Sequence, residues 1–236
     1  MNWVSYMIRV NGPLRVNGDL TIDCDATYGV SCSALTVNGS VSIDIKHNSD
    51  VDGALVSCVG DVHIAGDFTG STRTSRGLYF TNGTLRVDGN VTIRNSHAGG
   101  WGIFGGVDAT EIAGTVIVGP GAWDVEASVA IRAKTAIVIP ETHRITTPAG
   151  GLVKEYGGMF TITEPDGSSM ASHVIIVPAG DINRDGEVDV LDLLLLRKYL
   201  VGLPIEGVFD EVAADLNGDE TIDILDLVRF RKTFVT

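Results

Sequence analysis

The sequence is poor in the features that mark several common classes of protein. It has only three cysteines, too few for the disulfide framework of a small secreted domain. It contains no apolar run of about 18 residues, so no membrane-spanning helix is predicted. Lysine and arginine number 17 against 30 acidic residues, and the resulting formal charge of −13 argues against a nucleic-acid-binding surface. The first ten residues, MNWVSYMIRV, lack the basic start and apolar stretch of a signal peptide.

Residues 14 to about 178 are instead rich in Gly, Val, Ile and Thr and contain a repeat. Five segments alternate apolar and polar residues around a central glycine, which is typical of short strands. Their central glycines are 21, 27, 23 and 25 residues apart. The segments are LRVNGDLTI from residue 14, LTVNGSVSI from 35, VHIAGDFTG from 62, LRVDGNVTI from 85 and TEIAGTVIV from 110.

A second short apolar segment follows each repeat, so each repeat is predicted to hold two or more strands. Repeats of this length with glycine-polar corners favour a right-handed parallel β-helix, with Val, Ile, Leu and Phe inside and polar residues outside. A β-sandwich is the alternative, because strands with this density of turns also fit it. Residues 137 to 178 are predicted to form the last coils and a cap. The domains are then 1–178, a β-solenoid, and 179–236, a small all-α module.

The acidic tail carries oxygen-bearing residues at the same spacing twice, 34 residues apart. In a twelve-residue loop, side chains at positions 1, 3, 5, 9 and 12 and the carbonyl at position 7 supply the oxygens. Ca²⁺ is a hard cation that takes about six to eight oxygen ligands, so we predict one ion in each loop. The ligands of the first loop are Asp181, Asn183, Asp185, Glu187, Asp189 and Asp192, and those of the second are Asp215, Asn217, Asp219, Thr221, Asp223 and Asp226.

One short helix is predicted after each loop, with apolar residues spaced i, i+3 and i+7 on one face. The two stripes are expected to form the core of the module by packing as an antiparallel pair. A third short helix is predicted between Phe209 and Asp215, after the breakers Gly202, Pro204 and Gly207. The stripes are Leu193, Leu196 and Leu200 in the first copy and Leu227, Phe230 and Phe234 in the second.

With these paired loop-helix units, residues 180–236 resemble a type I dockerin, the calcium-dependent module that binds a cohesin in cellulosome assemblies. The resemblance covers about a quarter of the chain. It implies cohesin contacts at loop positions 10 and 11 and at helix positions 17 and 18. Because both copies carry nearly equal contact sets, we expect docking in either of two orientations related by an internal two-fold. The implied contact residues are Val190, Leu191, Arg197, Lys198, Ile224, Leu225, Arg231 and Lys232.

Two details of the tail depart from the family's pattern. The apolar pairs at positions 10 and 11 replace the Ser-Thr pair of some members, and the alternative interpretation is that Leu191 and Leu225 are core residues. Glu220 stands at position 6 of the second loop, where the first loop has Gly186. If this position has a positive φ, a side chain there costs on the order of 1 kcal/mol. We therefore predict weaker calcium binding in the second loop.

Catalytic signatures are absent from the solenoid sequence, which has no Ser-His-Asp set, glycine-rich phosphate loop or HExxH motif. Parallel β-helices do host polysaccharide lyases and hydrolases, and Asp61, Asp67, Asp88 and Arg94 are the acid-base candidates. The alternative is that these aspartates, which lie beside glycines, shape the corners. No catalytic residue is therefore assigned, and activity is left open.

Further binding roles rest on a few side chains. Trp101, Trp123 and Tyr156 are candidates for a sugar-stacking platform, with core or cap packing as the alternative. Cys32 and Cys58 each end a Val-Ser-Cys segment and are candidates for a disulfide between adjacent coils, or for buried free thiols.

The function predicted from these features is that of a secreted cellulosome-type component anchored to a cohesin-bearing scaffold. The β-solenoid then serves as a binding, adhesion or structural module, with polysaccharide as its ligand. The alternative is a polysaccharide-degrading lyase or glycoside hydrolase. Because the dockerin resemblance implies an extracellular protein, the sequence is expected to be a fragment that lacks its signal peptide and begins within the solenoid.

Overall fold

The computed structural model describes residues 4–46, 52–97, 99–108, 112, 114–120, 129–134 and 136–233. Residues 6–119 wind as a parallel β-solenoid of about four turns, with three strands in a complete coil. The prediction of a solenoid is confirmed and the β-sandwich alternative is not, because consecutive coils pair parallel along all three faces.

Each face of the solenoid is a parallel sheet built from corresponding strands of successive coils. The first face contains β1 (Tyr6–Arg9), β4 (Tyr28–Cys32), β7 (Ala54–Cys58), the start of β10 (Arg76–Val87), β12 (Trp101–Asp108) and β14 (Val129–Ala133). The second contains β2 (Pro13–Val16), β5 (Ala34–Val37), β8 (Val62–Ile64) and the end of β10. The third contains β3 (Leu20–Cys24), β6 (Val41–Ile45), β9 (Phe68–Thr72), β11 (Val91–Asn95) and β13 (Val116–Pro120).

The alternating repeat forms these faces because every second side chain points into the coil. In-register pairing then stacks equivalent residues into columns, such as Val37, Ile64 and Val87 on the second face. On the third face Gly70 interrupts a column of isoleucines, and the side chains of Leu55 and Phe68 fill the space that a Cβ there would occupy. The core is therefore continuous from coil to coil.

The last part of the solenoid domain closes its end with antiparallel strands. β19 pairs antiparallel with β13, and β18 pairs antiparallel with β14, so the parallel stack stops there. This matches the expected cap, which protects an open sheet edge. The strands of this part are β15 (Ile137–Val138), β16 (His143–Thr147), β17 (Leu152–Tyr156), β18 (Met159–Thr163) and β19 (Val174–Pro178).

The tail forms three helices: α1 (Val190–Leu200), α2 (Glu211–Ala214) and α3 (Ile224–Thr233). They enclose a core around Leu196 and Phe230, which are fully buried, with Leu193, Leu200 and Leu227 packed at its margin. The predicted stripes therefore form the core as far as they are described. Phe234 and Trp123 lie outside the described residues.

The tail also packs on the end of the solenoid domain. Ala213 of α2 is fully buried against Val177 and Ile175 of β19, with Ile117 of β13 at the margin. The two parts of the chain are therefore in contact, while the domain boundary at residue 178 stays a prediction. In the described part of the chain, no helix is long and apolar enough to cross a membrane.

Candidate functional site

The first loop, residues 181–192, is folded around the carboxylates at its two ends. Asp181 accepts hydrogen bonds from the backbone N–H groups of Asp185 and Gly186, both at 3.1 Å. At the other end Asp192 accepts from the N–H groups of Ile182 at 2.8 Å and Asn183 at 3.1 Å. Carboxylate acceptors thus hold the loop backbone from both ends and fix where its oxygens lie.

Asp189 joins this loop to its helix. It is the N-cap of α1 and accepts from the N–H of Leu191 at 2.7 Å, while the second oxygen of Asp192 accepts from the N–H of Asp189 at 2.9 Å. This reciprocal capping satisfies N–H groups that a helix start would otherwise leave unpaired.

The second loop, residues 215–226, repeats the arrangement. Asp226 accepts from the N–H groups of Leu216 at 2.9 Å and Asn217 at 3.1 Å, as Asp192 does in the first copy. Asp215 accepts from the N–H groups of Asp219 and Glu220, which correspond to the donors to Asp181. The sequence repeat is therefore a structural repeat at the level of single hydrogen bonds.

The chemistry of these loops fits a hard divalent cation. Asp181, Asp192 and Asp226 are fully buried, and within the described residues no lysine, arginine or histidine forms an ion pair with them. Burial raises the pKa of Asp181 and of Asp192 above the ordinary carboxyl value. Buried carboxylates are normally paired or bound to metal, and these three are held by backbone N–H groups within loops whose other side chains carry the oxygen ligands that calcium prefers. As placed, however, no three acidic, histidine or cysteine side chains in the described residues are gathered closely enough to hold an ion.

Each loop has two residues in the left-handed region, at positions 4 and 6. In the first loop these are Arg184 (φ 61°) and Gly186 (φ 94°), and in the second Gly218 (φ 76°) and Glu220 (φ 65°). The positive φ expected at Glu220 is therefore present. Arg184 carries a similar strain in the first loop, so backbone strain alone does not distinguish the two sites.

The implied partner-contact residues lie on the surface. Leu191 and Leu225 are 53% and 55% exposed, so the interpretation of these two as core residues is wrong. Beside them, a groove of about 600 Å³ runs between α1 and α3. It is lined mainly by aliphatic side chains, together with Arg197 and Lys198 of α1 and Asp223 of the second loop. An apolar centre with charged neighbours suits a protein partner. The other implied contact residues are also at least partly exposed: Val190, Arg197, Lys198, Ile224, Arg231 and Lys232.

Comparison with known proteins bears on the tail alone. Residues 179–234 match the family model described as Dockerin type I domain. The tail is a type I dockerin module. No curated protein and no solved structure matches the chain. A dockerin module implies that the protein binds calcium and a cohesin. It also indicates an extracellular component of cellulosome type.

Four residues that position the dockerin loops were not predicted from the sequence. Asp210 is the buried N-cap of α2 and also accepts from Arg184, while Asn90 and Thr115 of the solenoid donate hydrogen bonds into the first loop. The N-cap had a sequence signal, an aspartate just before a helix. The roles of Asn90 and Thr115 had none, because they depend on contacts between distant parts of the chain.

The aspartates of the solenoid that were candidates for acid-base catalysis form hydrogen bonds and ion pairs with neighbouring residues. Asp61 and Asp67 each accept the backbone N–H of a residue in the next coil, at 2.9 and 2.8 Å. Asp88 pairs with Arg86 at 3.0 Å and His63 at 3.3 Å, and the Arg86 contact holds the pKa of Asp88 below its ordinary value. The corner interpretation accounts for the contacts of Asp61 and Asp67, whereas Asp88 is engaged by two basic side chains.

The proposed sugar-stacking residues are not one platform among the described residues. Trp101 packs against Phe104 with ring centroids 4.8 Å apart, and the Arg76 guanidinium lies 5.3 Å from the Trp101 ring. Tyr156 is exposed but belongs to β17, three strands away in the same sheet.

Proposed function

We propose that this chain is a cellulosome-type component whose β-solenoid is anchored to a scaffold through calcium-dependent binding of the dockerin to a cohesin. The observation that carries the proposal is the exposed, duplicated contact set on a module that matches the type I dockerin family. A surface with this much exposed aliphatic area is costly in water unless a partner covers it.

Two calcium ions complete the module in this proposal, one in each loop. The ligands are those predicted from the sequence, with carboxylate or amide oxygens at positions 1, 3, 5, 9 and 12 and the carbonyl of Glu187 or Thr221 at position 7. When bound, each ion neutralises the acidic side chains that surround it. Support comes from the matching N–H donors to Asp192 and Asp226 and from the buried carboxylates, which form no ion pair with a basic side chain in the part of the chain that the structure describes.

Cohesin docking is assigned to the start of each long helix. In the first copy Val190 and Leu191 supply apolar contacts, and Arg197 and Lys198 supply charge two turns later along α1. The second copy offers the same chemistry on α3. Either copy can therefore occupy one cohesin site, which gives two binding orientations.

The experiment is a pull-down of the full chain with a panel of cohesins. We expect capture in calcium, loss with a chelator and recovery when calcium is returned. The single variants Leu191→Asp and Leu225→Asp should each still be captured, because the unchanged copy can bind the cohesin. The double variant should not be captured. Leu152→Asp is the matched control, because Leu152 is 47% exposed but lies in the cap. Equal losses in the single and double variants would exclude the two-orientation proposal, and capture in chelator would exclude calcium dependence.

The β-solenoid is the part that the dockerin anchors, and we assign it a binding or structural role. The described corner aspartates are engaged with neighbouring coils, which supports this role over an acid-base site. Incubating the full chain with plant polysaccharides tests the assignment. Retention without product supports binding, while new reducing ends or unsaturated sugars would show a lyase or hydrolase and overturn it.

A further inference from the structure

The solenoid has a ladder of hydrogen bonds along one corner, where each repeat passes its central glycine. Oδ1 of Asp19 accepts the N–H of Ser40 at 2.8 Å, and Oγ of Ser40 accepts the N–H of Asp67 at 3.1 Å. Oδ1 of Asp67 then accepts the N–H of Asn90 at 2.8 Å, and Oδ1 of Asn90 accepts the N–H of Thr115 at 2.8 Å. Each corner side chain therefore holds the backbone of the next coil.

This ladder continues into the dockerin. The hydroxyl of Thr115 donates to Oδ2 of Asp181, the first residue of the first loop, at 2.6 Å. One rung earlier, Nδ2 of Asn90 donates to the backbone carbonyl of Asp185 at 3.3 Å. Thr115 is 2% exposed and Asp181 is fully buried, so water does not compete for this hydrogen bond.

The same contact accounts for the glycine at position 6 of the first loop. A Cβ on Gly186 would overlap the side-chain oxygen of Asn90, so only glycine lets the loop approach the solenoid this closely. Glu220 at the equivalent position is exposed. The difference between Gly186 and Glu220 thus follows from which loop faces the solenoid.

The second loop has no equivalent support within the described residues. Asp215 accepts hydrogen bonds from the N–H groups of Gly218, Asp219 and Glu220, all of which belong to its own loop. Asp215 is half-buried, in contrast to Asp181. Two loops with the same sequence pattern therefore have different surroundings.

We propose that Thr115 and Asn90 are positioning residues for the first calcium loop, and that this loop is the last rung of the solenoid's corner ladder. Calcium binding in the first loop is then coupled to the order of the last coils, while binding in the second loop is independent of the solenoid. Thermodynamic linkage makes the coupling reciprocal: the solenoid strengthens calcium binding, and calcium stabilises the solenoid. This inference rests on the proposed calcium binding.

The first test is a calorimetric calcium titration of the full chain carrying Thr115→Val, which keeps the shape of the side chain and removes the hydroxyl. Losing a hydrogen bond to a metal ligand typically weakens binding by about tenfold or more, and we expect this change at one site only. A second-loop knockout, Asp219→Ala, leaves the first loop to be titrated alone and assigns the affected site. Thr115→Ser should restore the parent affinity, and Thr69→Val, an exposed threonine on β9, should leave both sites unchanged.

Hydrogen exchange provides a second readout, because it compares the same chain with and without calcium and does not require the variants to be equally stable. In the parent chain, added calcium should slow exchange of the β11 and β13 amides by about tenfold, and Thr115→Val should lose most of this protection. Parent-like affinity and protection in Thr115→Val would overturn the inference while leaving calcium binding intact. Absence of calcium binding in the parent chain would instead overturn the proposed function.

Discussion

Nε of Arg184 donates to Oδ2 of Asp210 at 2.6 Å and thereby joins the first loop to the start of α2. The other oxygen of Asp210 accepts the N–H groups of Val212 and Ala213, both at 3.0 Å, as the N-cap of that helix. The Asp210 side chain is 2% exposed, whereas that of Arg184 is 28% exposed. One nearly buried carboxylate thus connects the two halves of the dockerin, and its charge is balanced by a partly solvated arginine.

Replacing Arg184 by methionine should destabilise the dockerin by about 2 kcal/mol, because a buried carboxylate loses its charged partner. Methionine keeps the aliphatic stem and the Cβ, so packing and backbone strain change little. The measurement is urea unfolding of the full chain in excess calcium. Arg15→Met, at an exposed arginine of β2, is the control and should change stability by less than about 0.5 kcal/mol. If Arg184→Met were as stable as Arg15→Met, the Arg184–Asp210 ion pair would contribute nothing to the free energy of unfolding.

Glu220→Gly should tighten calcium binding in the second loop by about fivefold, since it removes on the order of 1 kcal/mol of left-handed strain. Glu220→Ala is the matched control, because it removes the carboxylate but keeps the Cβ. Calorimetry should place the alanine variant within about twofold of the parent chain. If the alanine and glycine variants bound calcium equally more tightly than the parent chain, the loss of the Glu220 charge and not the backbone conformation would be the cause.

The two loops are predicted to differ in calcium affinity, and backbone strain is not the only physical reason. The weaker second site was predicted from Glu220 alone, but Arg184 at φ 61° carries comparable strain in the first loop. The hydrogen bond from Thr115 to Asp181 supplies a different reason for the same order of affinities. Weaker calcium binding in the second loop stays a prediction, with the solenoid contact as its physical basis.

The repeated patterns made much of the architecture predictable. Alternating residues around Gly18 to Gly114 indicated stacked strands, and oxygen donors at fixed spacing indicated paired loops, because both signals are local and periodic. The pairing of Thr115 with Asp181 was not predictable, because it joins residues 66 positions apart at an interface without a repeat. The exposure of Leu191 was also ambiguous, since an apolar residue at a helix start fits a core as well as a partner surface.

Gly77→Ala should destabilise the solenoid by about 2 kcal/mol, as overpacking of a closed core typically does. A Cβ on Gly77 would overlap the backbone carbonyl of Gly102 in the next coil and come within 2.8 Å of the Ile93 side chain. A backbone carbonyl in a paired strand has little freedom to move away. Gly12→Ala provides the control, because a Cβ there has no atom within 4 Å.

Thermal unfolding separates the two variants. Gly12→Ala should unfold at the parent temperature or slightly above it, because alanine lowers the entropy of the unfolded chain. Gly77→Ala should unfold several degrees lower. A parent-like Gly77→Ala would mean that adjacent coils separate more easily than their packing indicates.

Cys32 and Cys58 should form a disulfide when the protein is incubated with oxidised glutathione. Their Sγ atoms lie 3.1 Å apart as free thiols, in register on β4 and β7, and both side chains are buried. The hydrogen bond between them lowers the pKa of Cys32 and raises that of Cys58, so Cys32 is the thiol that ionises first. Its thiolate attacks glutathione disulfide, Cys58 displaces the glutathione, and two reduced glutathione molecules leave.

Mass spectrometry after alkylation distinguishes this pair from the third cysteine. The oxidised chain should be lighter by about 2 Da and should be alkylated only at Cys24, which is half-buried and not paired with another cysteine. Closing a loop of this length stabilises a fold by about 3 kcal/mol where the bond is unstrained, so the oxidised form should also resist urea better. Cys58→Ala should abolish both the loss of about 2 Da on oxidation and the increased resistance to urea. Alkylation of all three cysteines after oxidation would show that the stacked strands hold the two thiols in an orientation from which the bond does not form.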